Sequence, residues 1–566
     1  MTSAAKPWLA HYAPGVVSTV AAVTESLPNI IDRTVKDFPN AVALDFLGAE
    51  TRYSELGEQI ARAAEGLRKL GVKRGDRVAL VLPNCPEHIA AFYAVQRLGG
   101  IVVEHNPLYT ERELRHQFED HGARVAIVWQ KVAQKVLDLP ADLDVKTVIS
   151  IDITRGLPAS KRFAMSLPVK AAREAKDKMW GPLPKGAIPW EKVLKSRRIS
   201  DKVPRPEASD IAVIQYTSGT TGTPKGALLT HSNLIANTLQ CQAWIPDVKR
   251  GSGVVVYAML PVFHAYGLTL GLTFAMSMAA RLVLFPAFDP DLVLAAHKKH
   301  PATYLPAVPP IIDRLLKRAA EKKVSLAGVK VGVSGGMALD TSLIAKWEAA
   351  TGGVLIEGYG LSETSPILMI NPITDERHAG SIGLPVSSTE AKIVSRDDHV
   401  TEQPTGEPGE LVVRGPQVFS GYWKRGEETA AVLSDGWFRT GDIAKIDERG
   451  FFEIVDRIKE LIITGGFNVA PSEVEEAVVA LDGVQDAAAV GLPDPHSGEK
   501  VVVAVVMQPG APFDPEAMRA TLRENLTPYK VPREIVRLDE LPRNMIGKVL
   551  RKKVREQLLQ GEDQKA

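Results

Sequence analysis

Eleven residues, Tyr216-Thr-Ser-Gly-Thr-Thr-Gly-Thr-Pro-Lys-Gly226, combine hydroxyl side chains, glycines and a lysine in a pattern suited to phosphate. Glycines let consecutive backbone N–H groups converge on an anion, and hydroxyls and an ammonium group complete the cradle. The pattern is not a P-loop, because Gly-x-x-x-x-Gly-Lys-Ser/Thr is missing from it. A flexible linker is the alternative, and the terminal Pro-Lys-Gly argues against it. The candidate phosphate-binding residues are Thr217, Ser218, Gly219, Thr220, Thr221, Gly222 and Lys225.

A second glycine-rich turn, Glu357-Gly-Tyr-Gly-Leu-Ser-Glu-Thr364, follows an apolar run that ends at Ile356. An acidic side chain on such a turn can hold Mg²⁺ against a triphosphate, because Mg²⁺ prefers few carboxylates plus phosphate oxygens. An aromatic ring there can stack on a base. The alternative is an ordinary helix N-terminus at which Glu363 interacts favourably with the helix dipole.

Two weaker signals follow towards the C-terminus. In Thr440-Gly-Asp442 the carboxylate can accept two hydrogen bonds from a ribose diol, although this tripeptide is usually a simple turn. In Pro542-Arg-Asn-Met-Ile-Gly-Lys548 a lysine on a glycine-hinged loop can neutralise both partners of an in-line displacement. The alternative for Lys548 is one surface lysine among many.

Taken together and in this order, the motifs closely resemble those of the adenylate-forming enzymes, which include acyl- and aryl-CoA ligases, peptide-synthetase adenylation domains and luciferases. The resemblance covers nearly the whole chain. It implies that Tyr359 stacks on adenine, that Ser362 contacts the α-phosphate, and that Glu363 binds Mg²⁺ with help from Thr217. It also implies that Lys548 is the catalytic lysine.

The resemblance assigns further roles. It makes Lys459 the hinge about which the C-terminal domain turns, and it places His264 beside the carboxylate of the acid substrate. The implied ATP-binding residues further include Gly335, Gly336, Gly358, Gly360, Asp442 and Arg457, and Gly465 and Gly466 are expected to line the pantetheine tunnel of CoA. As a lone histidine in an apolar run, His264 is otherwise a core residue.

The chain is predicted to form an α/β protein with more than one domain, because 566 residues exceed what one core can hold. Residues 77–82 and 123–128 are predicted to be parallel strands, with a helix over 87–98 between them. Short strands with Gly/Pro turns predict a small β-barrel over 389–454. We expect an adenylation domain over 1–458 and a mobile α+β domain over 459–566.

Bulk composition excludes several classes of protein. A net charge of +1 gives no basic surface for nucleic acid. Two cysteines, Cys85 and Cys241, leave no disulfide framework or Cys-x-x-Cys metal site and fit a reducing cytoplasm. The N-terminal residues lack the pattern of a signal peptide. The oligomeric state is left open, and a homodimer is one of the alternatives.

Two segments raise the question of membrane contact. Residues 251–280 carry no Asp, Glu, Lys or Arg, but proline, histidine and glycine interrupt them, which favours a buried strand, a turn at 261–267 and a buried helix over a membrane span. Residues 161–180 are basic with interleaved apolar side chains. They form either a solvated insertion or a patch that rests on an anionic membrane surface. Pro168 divides them, so a helix is expected to begin near Val169.

Three features favour a fatty acid as substrate and CoA as acceptor. The turn Leu260–Leu268 has no acidic residue that would pair with an α-amino group. No carrier-protein attachment motif follows. The basic insertion is similar in position to one in bacterial long-chain acyl-CoA synthetases. The alternatives are a medium-chain or aryl-acid CoA ligase, a ligase that loads a carrier protein, and a lipid-binding scaffold with a decayed site. Intact Lys548, Glu363 and Asp442 argue against the last.

Overall fold

The computed structural model describes residues 6–217, 224–457, 460–464, 467–494, 497–526, 528–544 and 547–563. Contacts between residues divide the chain into two compact units. The larger unit contains Trp8–Glu390 and Arg414–Phe438, and the smaller unit contains Met1–Pro7, Ala391–Val413 and Arg439–Ala566.

The strands of the larger unit up to residue 385 are, in chain order, β1 (Val42–Phe46), β2 (Ala49–Arg52), β3 (Arg77–Val81), β4 (Ile101–His105), β5 (Val125–Trp129), β6 (Thr147–Ile151), β7 (Ile188–Pro189), β8 (Ile211–Thr217), β9 (Lys225–Thr230), β10 (Val255–Ala258), β11 (Arg281–Leu284), β12 (Tyr304–Ala307), β13 (Val331–Gly335), β14 (Val354–Gly360), β15 (Ile367–Ile370) and β16 (Leu384–Pro385). They form two sheets. One runs β7-β6-β5-β3-β4-β8-β9, and the other runs β16-β15-β14-β13-β12-β10-β11-β1-β2.

The helices of the larger unit are α1 (Leu27–Asp37), α2 (Tyr53–Lys69), α3 (Pro86–Arg97), α4 (Glu111–His121), α5 (Ala133–Leu137), α6 (Ala159–Ser166), α7 (Lys170–Met179), α8 (Trp190–Leu194), α9 (His231–Ala243), α10 (Phe274–Ser277), α11 (Pro290–His297), α12 (Pro309–Lys322), α13 (Thr341–Thr351) and α14 (Gly426–Ala430). Seven of these fourteen helices lie between neighbouring strands of a sheet: α3, α5, α6, α7, α10, α12 and α13. This alternation confirms the predicted α/β class.

Local sequence explains where these elements form. Strands β3, β4 and β5 are apolar runs that pair in parallel, and burial on both faces removes any need for a polar alternation. Helix α4 begins at a capping box, in which Thr110 Oγ1 accepts the Glu113 N–H and Glu113 Oε2 accepts the Thr110 N–H at 2.8 Å. Helix α11 begins at Asp289 followed by proline, whose missing N–H costs nothing in a first turn.

The remaining strands are β17 (Glu390–Val394), β18 (Gly409–Arg414), β19 (Leu433–Ser434), β20 (Trp437–Ile446), β21 (Phe452–Arg457), β22 (Ile462–Thr464), β23 (Phe467–Val469), β24 (Val484–Asp494), β25 (Gly498–Met507) and β26 (Glu534–Arg537), and the remaining helices are α15 (Pro471–Val479), α16 (Pro515–Asn525) and α17 (Arg551–Asp563). In the smaller unit β18 lies between β17 and β20, and β21 pairs antiparallel with β20. These short strands occupy the region predicted as a barrel.

The C-terminal residues of the smaller unit form a second sheet in the order β23-β22-β25-β24, with β26 parallel to β25. Separate apolar clusters cover its two faces: α15 and α16 contribute to one, and α17 contributes to the other. This arrangement confirms the α+β class predicted for the end of the chain.

The uncharged segment 251–280 is internal. It contains β10, a turn, a π-helical stretch at Gly267–Thr273 and α10, and its apolar side chains are buried. None of the helices in the described part of the chain is long and apolar enough to cross a bilayer. The prediction of a buried strand followed by a buried helix is therefore confirmed.

Candidate functional site

The second glycine motif begins at the carboxyl end of β14, beside the end of the parallel strand β13. In the register of β13 and β14, Ser334 lies opposite Glu357 and Gly335 lies opposite Gly358. A Cβ at Gly335 would lie 3.2 Å from the Gly358 carbonyl oxygen, and one at Gly360 would lie 1.8 Å from that of Pro366. Glycine is therefore required where these segments approach each other.

The same strand ends contain Gly336, whose φ of +77° favours glycine, and Tyr359, which is half-buried. Burial raises the pKa of Glu357 to about 8, so its neutral form predominates near pH 7. The structure thus brings together five of the residues predicted to bind ATP, which are Gly335, Gly336, Gly358, Tyr359 and Gly360.

The phosphate motif reaches the same place from the other sheet. Strands β8 and β9 form a hairpin in which Thr217 lies opposite Lys225. The connecting residues Ser218, Gly219, Thr220, Thr221 and Gly222 lie outside the described residues. The short 3₁₀ helix Ser362–Thr364 packs against both strands, so it brings Glu363 to the hairpin.

The segment around Tyr422 completes this group of side chains. The Tyr422 hydroxyl donates a 2.8 Å hydrogen bond to Glu363 Oε1. Lys225 Nζ lies 5.2 Å from the centre of the Tyr422 ring and forms an ion pair with Glu428. The sequence analysis missed Tyr422 and Glu428, because no charge pattern or motif around them pointed to this site.

The donor set fits Mg²⁺. Glu363 offers a carboxylate and Thr217 a hydroxyl, and both are hard oxygen donors from neighbouring segments. A single carboxylate with a hydroxyl leaves positions for phosphate oxygens and water, which Mg²⁺ prefers to an all-protein cage. Thr217 and Glu363 remain the predicted metal ligands.

His264 lies in the turn that follows β10, and three hydrogen bonds fix this turn. Asn84 Nδ2 donates to the carbonyl oxygens of Ala258 and Leu260 at 2.9 Å, and Asn84 Oδ1 accepts the Val262 N–H at 2.8 Å. Asn84 follows β3, so it ties the end of one sheet to the end of the other. Sequence reasoning missed it, because an isolated asparagine carries no signal.

The same turn is connected to a strand of each sheet, β8 and β13. Gln215 Nε2, on β8, donates to the Phe263 carbonyl oxygen at 2.9 Å, and the Tyr266 hydroxyl donates to the Val333 carbonyl oxygen at 2.8 Å. Loss of hydration on burial lowers the pKa of His264 to about 4, so this imidazole is neutral at pH 7.

The predicted ribose-binding residues meet in the smaller unit. Asp442 on β20 lies opposite Arg457 on β21, and the Asp442 carboxyl group is buried. The Thr440 hydroxyl donates to the Leu411 carbonyl oxygen at 2.8 Å and accepts the Asp442 N–H at 3.1 Å. Only the backbone of Arg457 is described.

Lys548 belongs to a small closed loop. Arg543 and Val549 form an antiparallel bridge, and Lys548 is bonded through its N–H and its carbonyl oxygen to Asn544, at 2.9 and 2.8 Å. Gly547 has a φ of +84°, which favours glycine. The Lys548 side chain is half-buried.

The predicted hinge residue Lys459 and the predicted tunnel residues Gly465 and Gly466 lie outside the described residues. Ion pairs and a hydrogen bond fix the described segments on either side of these residues. Arg551, at the start of α17, forms ion pairs with Glu460 and with Glu475, the latter at 2.6 Å. Before the predicted hinge, Asp456 Oδ2 accepts a hydrogen bond from the Ser472 hydroxyl at 2.9 Å.

Comparison with known proteins gives a consistent result. Residues 31–423 match the AMP-binding enzyme family, and residues 473–548 match the AMP-binding enzyme C-terminal domain. A long-chain-fatty-acid–CoA ligase of Bacillus subtilis is 39% identical over 563 residues, which cover 98% of each chain. One of Salmonella typhimurium is 37% identical over 567 residues, covering 99% of this chain and 100% of that one.

A solved structure also matches. ATP-bound MatB of Rhodopseudomonas palustris superposes with a TM-score of 0.80 at 29% identity, over 94% of this chain and 98% of that one. The match to the first family spans both glycine motifs and the turn at His264, and the match to the second ends at Lys548. The chain belongs to the AMP-binding enzyme family.

Proposed function

We propose that this enzyme joins a long-chain fatty acid to CoA at the expense of ATP, through an acyl-adenylate, and releases AMP and pyrophosphate. One observation carries the proposal: strand ends from two sheets bring the glycine motifs, Lys225 and Glu363 together in a chain that is similar over nearly its full length to long-chain-fatty-acid–CoA ligases.

The reaction follows from the chemistry of a carboxylate, which is a poor electrophile because its leaving group would be oxide. In the first step a carboxylate oxygen attacks the α-phosphorus of ATP, and pyrophosphate leaves. In the second step the CoA thiolate attacks the acyl carbonyl carbon, and AMP leaves with the bridging oxygen. The thiol proton passes to solvent or to a base.

The residues are assigned by position and chemistry. Lys548 neutralises the attacking carboxylate and the α-phosphate during the first step. Glu363 and Thr217 would hold Mg²⁺, which would supply charge neutralisation on the triphosphate. Tyr359 stacks on adenine, and Ser362 contacts the α-phosphate. Asp442 and Arg457 bind the ribose, and the remaining phosphate contacts come from Ser218, Gly219, Thr220, Thr221, Gly222 and Lys225.

An apolar acid suits the surroundings of His264. Leu260–Leu268 carries no acidic side chain, and the π-helical stretch Gly267–Thr273 that follows is buried throughout. Such a wall offers no partner for an α-amino group but accepts an alkyl chain at a gain of about 0.8 kcal/mol per buried CH₂. Neutral His264 can approach the substrate carboxylate as a hydrogen-bond donor without placing an unpaired charge beside the chain.

The proposal assigns the two reaction steps to two arrangements of the chain. Residues 1–458 form the adenylation domain, and residues 459–566 turn about Lys459 between the steps. Lys548 takes part in adenylation. After the turn, Gly465 and Gly466 line the path of the pantetheine arm. The Arg551 ion pairs with Glu460 and Glu475 support this assignment, because they tie the residues just after the hinge to the Lys548 region.

We further propose that helices α6 and α7 touch an anionic membrane surface, where long-chain fatty acids reside. Phe163 on α6 is 69% exposed, and Leu167 and Val169 in the connection between these helices are 41% and 51% exposed. The same two helices carry the exposed basic residues Arg162, Lys170, Arg173 and Lys178. The other face is fixed to the body, since Trp129 Nε1 donates to the Met179 carbonyl oxygen at 2.9 Å.

Not every side chain expected at the membrane is available. Met165, Met179 and Trp180 are half-buried, and Lys176 Nζ covers the Trp180 ring at 4.2 Å. The contact is therefore assigned to the α6–α7 connection. Each basic residue near the surface contributes about 1 kcal/mol, screened by salt, so binding is reversible.

Two buried free thiols, Cys85 and Cys241, support the cytoplasmic location predicted from the sequence.

Vesicle co-sedimentation tests the membrane contact. The variant with Lys170, Arg173, Lys176 and Lys178 changed to Gln is expected to lose binding to anionic vesicles at low salt. A control variant with Gln at the exposed Lys36, Lys69, Lys317 and Lys322 carries the same charge change and is expected to bind normally. Equal binding of both variants would show that the charges of α6 and α7 have no role in membrane binding.

Sedimentation of the same protein without vesicles tests whether the protein forms a homodimer.

Turnover with a panel of acids tests the proposed reaction. Fatty acids of six to eighteen carbons, coumarate and benzoate are each supplied with ATP, Mg²⁺ and CoA, and acyl-CoA and AMP are measured. The highest kcat/KM is expected for a long-chain acid. A preference for a medium-chain or aryl acid would overturn the substrate assignment. Adenylate formation without transfer to CoA would indicate a ligase that loads a carrier protein.

A further inference from the structure

The segment that carries Tyr422 is fixed against the phosphate hairpin. Tyr422 forms an antiparallel bridge with Ala227 on β9, two residues beyond Lys225. The Leu228 N–H donates to the Gly421 carbonyl oxygen at 2.9 Å, and the Trp423 N–H donates to the Gly226 carbonyl oxygen at 2.8 Å. The backbone of this segment therefore keeps a constant position relative to Lys225.

The Tyr422 side chain is held equally firmly. Its ring packs edge-on against Phe419, with 4.9 Å between the ring centres. The backbone N–H of Tyr422 donates to Thr429 Oγ1 at 2.9 Å, which fixes the point at which the side chain is attached. The Tyr422 hydroxyl is the donor in its bond to Glu363, because an ionised carboxylate only accepts hydrogen bonds.

The acceptor of the Tyr422 hydrogen bond is the carboxylate of Glu363, which is predicted to bind the metal. A glutamate has three side-chain torsions, and an unheld carboxylate loses rotational entropy when it takes a metal ion. A phenol that donates to one carboxylate oxygen restricts the rotation of the carboxylate group. Partners of this kind orient metal ligands in many proteins, and their removal lowers metal affinity about 10–100-fold.

We propose that Tyr422 is a positioning residue whose hydroxyl holds the Glu363 carboxylate in the orientation that receives Mg²⁺ together with ATP. The proposal rests on the proposed function for the identity of the nucleotide and the metal. It assigns a role to the segment 419–429, which lies outside both glycine motifs. Tyr422 acts through Glu363 and does not itself touch the reacting atoms.

The test compares Tyr422→Phe with wild type and with Tyr257→Phe. Tyr257 is a matched control because its hydroxyl also donates a 2.8 Å bond, to the His300 carbonyl oxygen. The readout is the affinity of Mn²⁺ for the enzyme with an ATP analogue that carries a methylene bridge between the α- and β-phosphorus, measured by electron paramagnetic resonance. Tyr422→Phe is expected to weaken Mn²⁺ binding about tenfold, and the control is expected to leave it unchanged.

Two further measurements separate positioning from general damage. In ATP–pyrophosphate exchange, Tyr422→Phe should raise the required Mg²⁺ concentration and should keep nearly the wild-type rate at saturating Mg²⁺. In a Glu363→Gln background, Tyr422→Phe should have no additional effect on Mn²⁺ affinity, because the carboxylate that it orients is gone.

Several results would overturn the proposal. They are an unchanged Mn²⁺ affinity in Tyr422→Phe, a lower maximal rate with an unchanged metal requirement, and an undiminished effect in the Glu363→Gln background. Failure of the proposed function looks different: wild type would show no fatty-acid-dependent exchange, while the Mn²⁺ affinities would still report on Tyr422.

If Tyr422→Phe does not unfold cooperatively, Thr429→Val replaces it as the test variant. Thr429→Val removes the acceptor of the Tyr422 backbone N–H and is also expected to weaken Mn²⁺ binding. An unchanged Mn²⁺ affinity would contradict the proposal.

Discussion

The two lysines of the proposed active site, Lys225 and Lys548, are held in different ways. Lys225 lies at the start of β9 and is paired with Glu428, which comes from a distant part of the sequence, and its ammonium group lies over the Tyr422 ring. Lys548 lies in a loop that closes on itself, through hydrogen bonds with Asn544 only four residues away.

The difference indicates a division of labour. The surroundings of Lys225 come from several segments of the larger unit, so the position of this lysine depends on the whole fold. The described backbone hydrogen bonds of Lys548 are local, and α17 follows with its Arg551 ion pairs. Hydrogen bonds within one short segment are kept when that segment moves as a unit. We therefore assign Lys225 to a fixed phosphate site and Lys548 to a mobile element that serves one of the two steps.

The largest expected effect comes from Lys548→Ala. Adenylation should fall about 10²–10³-fold, the typical loss when one charged partner of a transition state is removed. Thioester formation from preformed acyl-AMP should be nearly unchanged, because Lys548 serves only the first step. The exposed Lys552→Ala is the control and should affect neither step. Equal losses in both half-reactions would contradict the division between the two lysines.

Lys459→Pro tests the mobility of the element that carries Lys548. Proline fixes φ near −65° and removes an N–H, so it stiffens a swivel. Acyl-AMP formation should be retained and transfer to CoA should be lost in single-turnover assays. Lys459→Ala removes the same charge without stiffening the backbone and should retain transfer. Loss of adenylation with transfer intact would place the hinge elsewhere.

Glu363→Gln tests the fixed site. The substitution keeps the shape of the side chain and removes the charge that holds Mg²⁺, so the Mg²⁺ requirement of ATP–pyrophosphate exchange should rise at least about tenfold. Thioester formation from preformed acyl-AMP, which needs no triphosphate, should change little. An unchanged Mg²⁺ requirement would mean that other residues bind the metal.

The smallest effect is expected for Glu428→Gln. In the ligand-free enzyme Glu428 competes with phosphate for Lys225, and the pair is partly exposed, with 21% of the lysine and 39% of the glutamate side chain accessible. Such pairs contribute about 0.2–1 kcal/mol, so the KM for ATP should fall by up to about fivefold. Glu427→Gln, on the same helix but fully at the surface, is the control. A raised KM would show that Glu428 supports ATP binding.

The sequence predicted those features that depend on neighbouring residues. Apolar runs such as 77–82 identified β3, because a strand buried on both faces needs no polar alternation. The glycine motifs were located at strand ends, since close approach of two backbones excludes a Cβ, as at Gly360. Helix α7 begins at Lys170, one residue from the start predicted from Pro168.

The parts that were missed depend on tertiary contacts. Asn84 fixes carbonyl groups 174 and 176 residues away, and Tyr422 bonds Glu363 across 59 residues. No local pattern marks either residue, because their partners become neighbours only after the two sheets have formed. The partner of Lys225 was missed for the same reason: the sequence marked the lysine, but Glu428 follows β9 by almost two hundred residues.

Direct detection of the intermediate tests the central claim, which is a reaction in two steps on one enzyme. The enzyme is mixed with palmitate, ATP and Mg²⁺ without CoA, quenched, and analysed by mass spectrometry. We expect palmitoyl-AMP in an amount close to that of the enzyme, and its conversion to palmitoyl-CoA and AMP when CoA is added before the quench. Formation of palmitoyl-CoA with ADP and phosphate, and without an adenylate at any time, would contradict the account.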